Sequence, residues 1–116
     1  MAMPGTMETE GITPTIRTAP GRERRIARLG NLMMVIFDFY DGPMIVPDKP
    51  HTHPHEQITY VASGEVLFIK GMDEYHLHEG DMMTIPPEIP HSVQTLSEHV
   101  RLVDCFTPPR EDLLIE

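Results

Sequence analysis

Four side chains from two separate stretches of the sequence could bind one transition-metal ion. His51 and His53 are two residues apart, so on an extended chain they point to the same side. Gln57 has the same parity, and His91, which follows the proline-rich segment 86–90, is the best-placed fourth group. Imidazole nitrogens suit late transition metals, and a carboxamide oxygen is an acceptable additional ligand. These residues predict one divalent ion (Zn, Ni, Mn or Fe) per chain.

The fourth ligand has an alternative, since Glu56 stands directly beside Gln57. Its parity is opposite to that of the histidines, so it should point away from them unless a bulge intervenes. We therefore favour Gln57. Four neutral ligands would leave the ion its full double charge, which makes it a strong Lewis acid that attracts anions. His55 shares the parity of the ligands, but Pro54 distorts the chain there, and we expect it beside the site.

A second group of reactive side chains lies near the end of the chain. Asp104 and Phe106 share one face of a predicted strand, and the segment 107–109 then turns the chain and presents Arg110. If that face points into a cavity, it supplies an acid/base carboxylate, an apolar wall and a guanidinium for an anionic substrate. The alternative is a structural ion pair between Asp104 and Arg110 with Phe106 in the core, and the residues alone favour this alternative.

A framework of short strands must bring these groups together. Runs rich in β-branched and aromatic residues alternate with turn residues at short intervals, which is typical of a β-sandwich or β-barrel. The twelve prolines and the lack of helical periodicity argue against long helices. The sequence therefore predicts an all-β fold with strands at 32–40, 58–61, 66–69, 75–78, 82–85, 92–95 and 100–106.

Length and charge limit the organisation and the partners of the chain. Its 116 residues suit one domain, which we divide into an N-terminal arm (1–22), a barrel (23–110) and a C-terminal tail (111–116). The net charge of −9 argues against nucleic acid, and the basic cluster at 22–28 is expected to be a solvated strand or loop paired with local acids. The longest apolar run, 32–37, is too short to span a membrane. The single cysteine and the absence of a signal-like start predict a cytoplasmic protein.

Two segments of the sequence resemble the paired motifs of the cupin superfamily. Gly42, His51-x-His53, Gln57 and Gly64 resemble the first motif, in which Gln57 occupies the usual glutamate position. Gly80-Asp81, Pro86 and His91 resemble the second, in which Glu88 stands at a usual glycine position. The resemblance implies a cupin barrel, that is, a double-stranded β-helix of jelly-roll type. It also implies a homodimer.

The histidine pair with a glutamine and the segment Asp104-x-Phe106-x-Pro-x-Arg110 are similar to the KdgF-like cupins of pectin and alginate degradation. That resemblance implies a metal-dependent enzyme of isomerase or lyase type that converts 4,5-unsaturated monouronates to the linear keto form. Asp104 would match the catalytic aspartate, Phe106 the aromatic residue beside it and Arg110 the residue that binds this small anionic substrate. Two alternatives remain open: a cupin dioxygenase acting on an enol-type substrate, and a non-catalytic cupin that binds a small acid.

Overall fold

The computed structural model describes residues 10–114 as nine β-strands and one short 3-10 helix. Over these residues no helix is long and apolar enough to cross a membrane. The elements are β1 (Ile16–Ala19), β2 (Arg22–Leu29), β3 (Leu32–Phe39), β4 (Glu56–Ser63), β5 (Val66–Lys70), β6 (Asp73–Leu77), β7 (Met82–Ile85), β8 (His91–Thr95), β9 (Val100–Thr107) and the 3-10 helix Glu111–Leu114.

The strands form two sheets in which every pair of neighbours is antiparallel. The larger sheet has the order β1-β2-β3-β9-β4-β7, and the smaller sheet has the order β6-β5-β8. β4 and β9, which carry most of the predicted site, are therefore direct neighbours, with Gln57 opposite Phe106 and Thr59 opposite Asp104. The prediction of an all-β fold is confirmed.

The strand β1 was not predicted from the sequence, and the basic cluster, for which a strand or a loop was expected, forms the strand β2. β1 lies inside the segment assigned to the N-terminal arm, and β2 contains the arginine cluster. In β2, Arg22 pairs with Asp48 at 2.8 Å and Arg28 pairs with Glu111 at 2.9 Å. These acids are distant in the sequence, so the expectation that local acids pair with the cluster was wrong for these two arginines. Residues 1–9 of the predicted arm and 115–116 of the predicted tail lie outside the described residues.

The inner face of β4 is polar at its start and apolar toward its end. Every second residue of β4 and of β9 is buried, as expected for strands with one face on a core. On β4 the inward series runs from Gln57 through Thr59 to Val61. The apolar end packs into a core with the other sheet, which leaves the polar end facing a cavity. This core comprises Val61, Val66, Phe68, Leu77, Met83, Ile85, Val100 and Leu102.

Candidate metal centre

The three predicted histidine ligands converge at one place in the structure. A short antiparallel bridge joins His51 to His91, with backbone N–H···O distances of 3.0 Å in both directions. The ring of His91 lies 4.3 Å from that of His51 and 4.8 Å from that of His53, measured between centroids. One nitrogen of each of the three rings lies within 4.8 Å of the others. The group can therefore hold a metal ion.

The hydrogen bonds of His91 leave one of its nitrogens without a protein partner. Nδ1 donates to the carbonyl oxygen of Ile89 at 2.8 Å, an assignment that leaves Nε2 of the neutral ring unprotonated. Nε2 is buried and has no hydrogen-bond partner. A buried polar atom without a partner is costly, and a bound cation would provide the missing interaction.

The contacts of His53 also favour a cation. Its Nδ1 lies 3.2 Å from the carbonyl oxygen of His55, and its Nε2 lies 2.9 Å from Oε1 of Gln57. Both partners are acceptors, whereas a neutral imidazole carries only one N–H. Each tautomer therefore leaves one lone pair facing an oxygen. A cation held by both His53 and Gln57 would accept their lone pairs and remove the conflict.

All three imidazoles are held in the neutral form that metal ligation requires. Desolvation lowers the pKa of His51 to about 4, with the nearby His91 and Arg110 contributing. Burial likewise lowers the pKa of His53 and of His91. These neutral nitrogens, together with the carboxamide oxygen of Gln57, fit a divalent transition metal.

The neighbours of the histidine group occupy different positions. Glu56, the alternative fourth ligand, is exposed at the start of β4, whereas Gln57 is buried. His55 is half-buried beside His53, with 5.4 Å between the ring centroids, and its carbonyl oxygen faces Nδ1 of His53. Gln57 is therefore the residue of the two that reaches the imidazoles.

A chain of buried hydrogen bonds links Gln57 to Asp104. Nε2 of Gln57 donates to the hydroxyl of Thr59 at 2.8 Å, and that hydroxyl donates to Oδ1 of Asp104 at 2.7 Å. Burial raises the pKa of Asp104 to about 7, although the bond from Thr59 and the charge of Arg110 act in the opposite direction. Thr59 was not selected from the sequence. Its parity with Gln57 on β4 was the signal that could have identified it.

Arg110 does not form an ion pair with Asp104, which was the structural alternative to a functional role of these two residues. Its guanidinium instead bonds Asp112, with Nη2···Oδ2 at 2.7 Å and Nε···Oδ1 at 3.3 Å. It also lies over the ring of Phe106 at 5.2 Å. Phe106 is buried and sets the edge of its ring against His53, with 5.6 Å between centroids. Phe106 thus packs between the candidate histidine ligands and Arg110, and it belongs to a buried apolar cluster, as the alternative expected.

Members of both predicted groups line one cavity of about 430 Å³, whereas His53 and Phe106 are not part of its lining. Its lining includes His51, Gln57, His91, Asp104 and Arg110. A cavity of this size suits a small organic ligand. Further basic and acidic residues of the lining are Arg22, Glu23, Asp38, Asp48 and Lys49.

Comparisons with known proteins agree with this architecture. The profile of the cupin domain family matches residues 44–106. The pectin degradation protein KdgF of Dickeya dadantii is 34% identical over 104 residues, which cover 88% of this chain and 92% of that protein. The structure of KdgF from a Halomonas species matches with a TM-score of 0.77 and 28% identity, covering 87% of this chain and 91% of that one.

A cupin of the RmlC-like type from Shewanella frigidimarina matches equally well, with a TM-score of 0.77 and 28% identity over 87% of this chain and 88% of that one. The matched segment of the family profile contains all four predicted metal ligands as well as Asp104 and Phe106. The chain therefore belongs to the cupin family, and KdgF of pectin degradation is among its relatives in that family.

Proposed function

We propose that this chain is a metal-dependent enzyme of pectin breakdown that opens the ring of 4,5-unsaturated monouronates and yields the linear keto form. The similarity to the pectin degradation protein KdgF supports the pathway. The position of Asp104 is the observation that supports the proposed reaction most directly. This buried carboxyl lines the same cavity as two of the three histidines and Arg110.

In this proposal His51, His53, Gln57 and His91 hold the ion. When bound, the ion supplies positive charge that polarises a hydroxyl or ring oxygen of the substrate. The tautomer of His91 and the amide orientation of Gln57 already aim lone pairs at the shared space.

Asp104 is the group that moves the proton. As a carboxylate it accepts the proton of the C1 hydroxyl while the bond between C1 and the ring oxygen breaks. It then returns a proton to C4 as the C4–C5 enol becomes the ketone. One proton leaves oxygen and one is added to carbon, so the composition is unchanged. A pKa of about 7 suits a group that must both accept and donate near neutral pH.

Arg110 binds the carboxylate of the substrate. Asp112 occupies Nε and Nη2 of the guanidinium, which leaves Nη1 available for an anionic ligand. The guanidinium also lies over the ring of Phe106, 5.2 Å from its centroid. A monouronate would thus have its carboxylate at Arg110 and its reacting atoms near Asp104.

The test is an ultraviolet assay of the 4,5 double bond with metal-loaded protein. We expect the absorbance to disappear with the wild type, and the Asp104→Asn variant to be slower by about 100-fold or more. Asp73→Asn removes one exposed carboxylate of β6 and is expected to keep full activity. Oxygen uptake during turnover would instead indicate a dioxygenase. Binding of the uronate without any reaction would indicate a non-catalytic binding protein.

A further inference from the structure

The outer surface of the smaller sheet carries a second group of metal-binding side chains. We propose that Glu65, His76 and His78 form a separate site for a divalent late transition metal such as Zn²⁺, Ni²⁺ or Cu²⁺. One imidazole nitrogen or carboxylate oxygen from each of the three residues lies within 4.8 Å of the others.

Strand pairing places these residues together on the outward face. In the β5–β6 pair Val66 lies opposite Leu77, and both are buried in the core. The residues on either side of Leu77, His76 and His78, therefore point to the outside. Glu65 directly precedes Val66 and so also points outward. The proposed site is thus on the opposite face of the sheet from the core and apart from the cavity.

The distances within the group suit one ion. Oε2 of Glu65 lies 2.8 Å from Nε2 of His76 and 3.7 Å from Nε2 of His78. The two imidazole rings are 4.5 Å apart between centroids and differ by 30° in orientation. A carboxylate and two imidazoles are a frequent ligand set for zinc, with the remaining positions taken by water.

A second carboxylate stands behind one of the imidazoles. Oδ2 of Asp81 lies 3.8 Å from Nδ1 of His78 and accepts a hydrogen bond from the backbone N–H of His78 at 2.7 Å. When Nε2 of His78 faces the ion, Nδ1–H points toward this carboxylate. Carboxylates in this position orient metal-bound imidazoles and increase their basicity.

This surface site should bind more weakly than the buried centre. Each of its three side chains is about half-exposed, and the hydrogen bond between Glu65 and His76 must give way to the ion. Its one anionic ligand acts in the opposite direction, since the ligands of the buried centre are neutral. The net charge of −9 of the chain favours the arrival of cations at either place.

The experiment is a calorimetric titration of untagged, chelator-treated full-length protein with Zn²⁺. We expect two binding events per chain for the wild type, and one for a variant with both His76→Gln and His78→Gln. Glu65→Gln should weaken the second event by about tenfold or more. Asp73→Asn, which removes the same charge from the other face of β6, should keep both events with unchanged affinities.

A further variant distinguishes binding at this surface site from binding at the proposed catalytic centre. His91→Ala should lose the tight event and keep the weak one, because the two groups share no residue. A single event in the wild type that is lost with His91→Ala would overturn the surface site. So would two events that persist when both surface histidines are replaced. Circular dichroism and melting curves of each variant verify that the barrel is intact.

Discussion

The buried carboxyl of Asp104 should make the protein less stable as the pH rises, and its amide replacement should remove this effect. Asp104→Asn keeps an oxygen that can accept the hydrogen bond from Thr59. It replaces the ionisable carboxyl by an amide that cannot ionise. In the folded protein the pKa of Asp104 is raised from its usual 3.8 to about 7, chiefly by burial.

The direction of this pH effect follows from the number of protons that the folded and the unfolded chain bind. Below the usual pKa the carboxyl is neutral in both the folded and the unfolded chain. Between that value and about 7 only the unfolded chain releases the proton, so the free energy of unfolding falls as the pH rises. The full pKa difference lowers the free energy of unfolding by about 4 kcal/mol, and about 3 kcal/mol of this loss occurs between about pH 5 and pH 8.

The assay is urea unfolding of chelator-treated wild-type protein and of the Asp104→Asn variant across this pH range. The difference in stability between the two should grow by about 3 kcal/mol in favour of the variant, or about 12 °C in melting temperature. The histidines titrate in both proteins and largely cancel in the difference. Parallel pH profiles of the two proteins would refute the claim that Asp104 remains protonated at mildly acidic pH in the folded state.

Three further perturbations test other parts of the structure. Thr59→Val breaks the hydrogen-bond chain and should lower kcat about 10- to 100-fold with little change in KM. Thr59→Ser keeps the hydroxyl and should retain most of the wild-type kcat. Steady-state kinetics on the unsaturated uronate distinguishes the two variants. His91→Ala should remove most of the metal-dependent rise in melting temperature and leave only the smaller rise that the weaker surface site supplies, measured by scanning calorimetry with and without Zn²⁺. Gly64→Ala should cost more than about 1 kcal/mol in urea unfolding, since Gly64 has a φ of 84° and an added Cβ would lie 2.2 Å from the carbonyl oxygen of His99.

Parity along the strands allowed much of the fold and the position of the candidate ligands to be predicted. Alternation on β4 separated buried Gln57 from exposed Glu56, and alternation on β9 placed Asp104 and Phe106 on one inner face. The apolar runs located seven strands, and the limits of β7 agree with the prediction. These features depend on local sequence, so local reasoning was sufficient.

Features that depend on distant residues could not be predicted in this way. β2 is rich in arginine, and its ion pairs involve acids that are 26 and 83 residues away. The pairing of Arg110 with Asp112 in preference to Asp104 depends on the turn into the 3-10 helix. Glu88 occupies the usual glycine position with a φ of 66°, and its backbone N–H donates to the carbonyl oxygen of His53. The sequence alone did not indicate that bond.

The hydroxyl of Thr59 has a single proton, so its direction can depend on both the carboxyl of Asp104 and the amide of Gln57. While that proton points to an ionised Asp104, the hydroxyl oxygen accepts from the amide nitrogen of Gln57, so the amide oxygen faces the histidines. A protonated carboxyl can instead donate to Thr59. If the hydroxyl then turns its proton toward the amide oxygen, the amide is no longer held in that direction. Such a reversal would link cation uptake thermodynamically to proton release, and each would favour the other by the same factor.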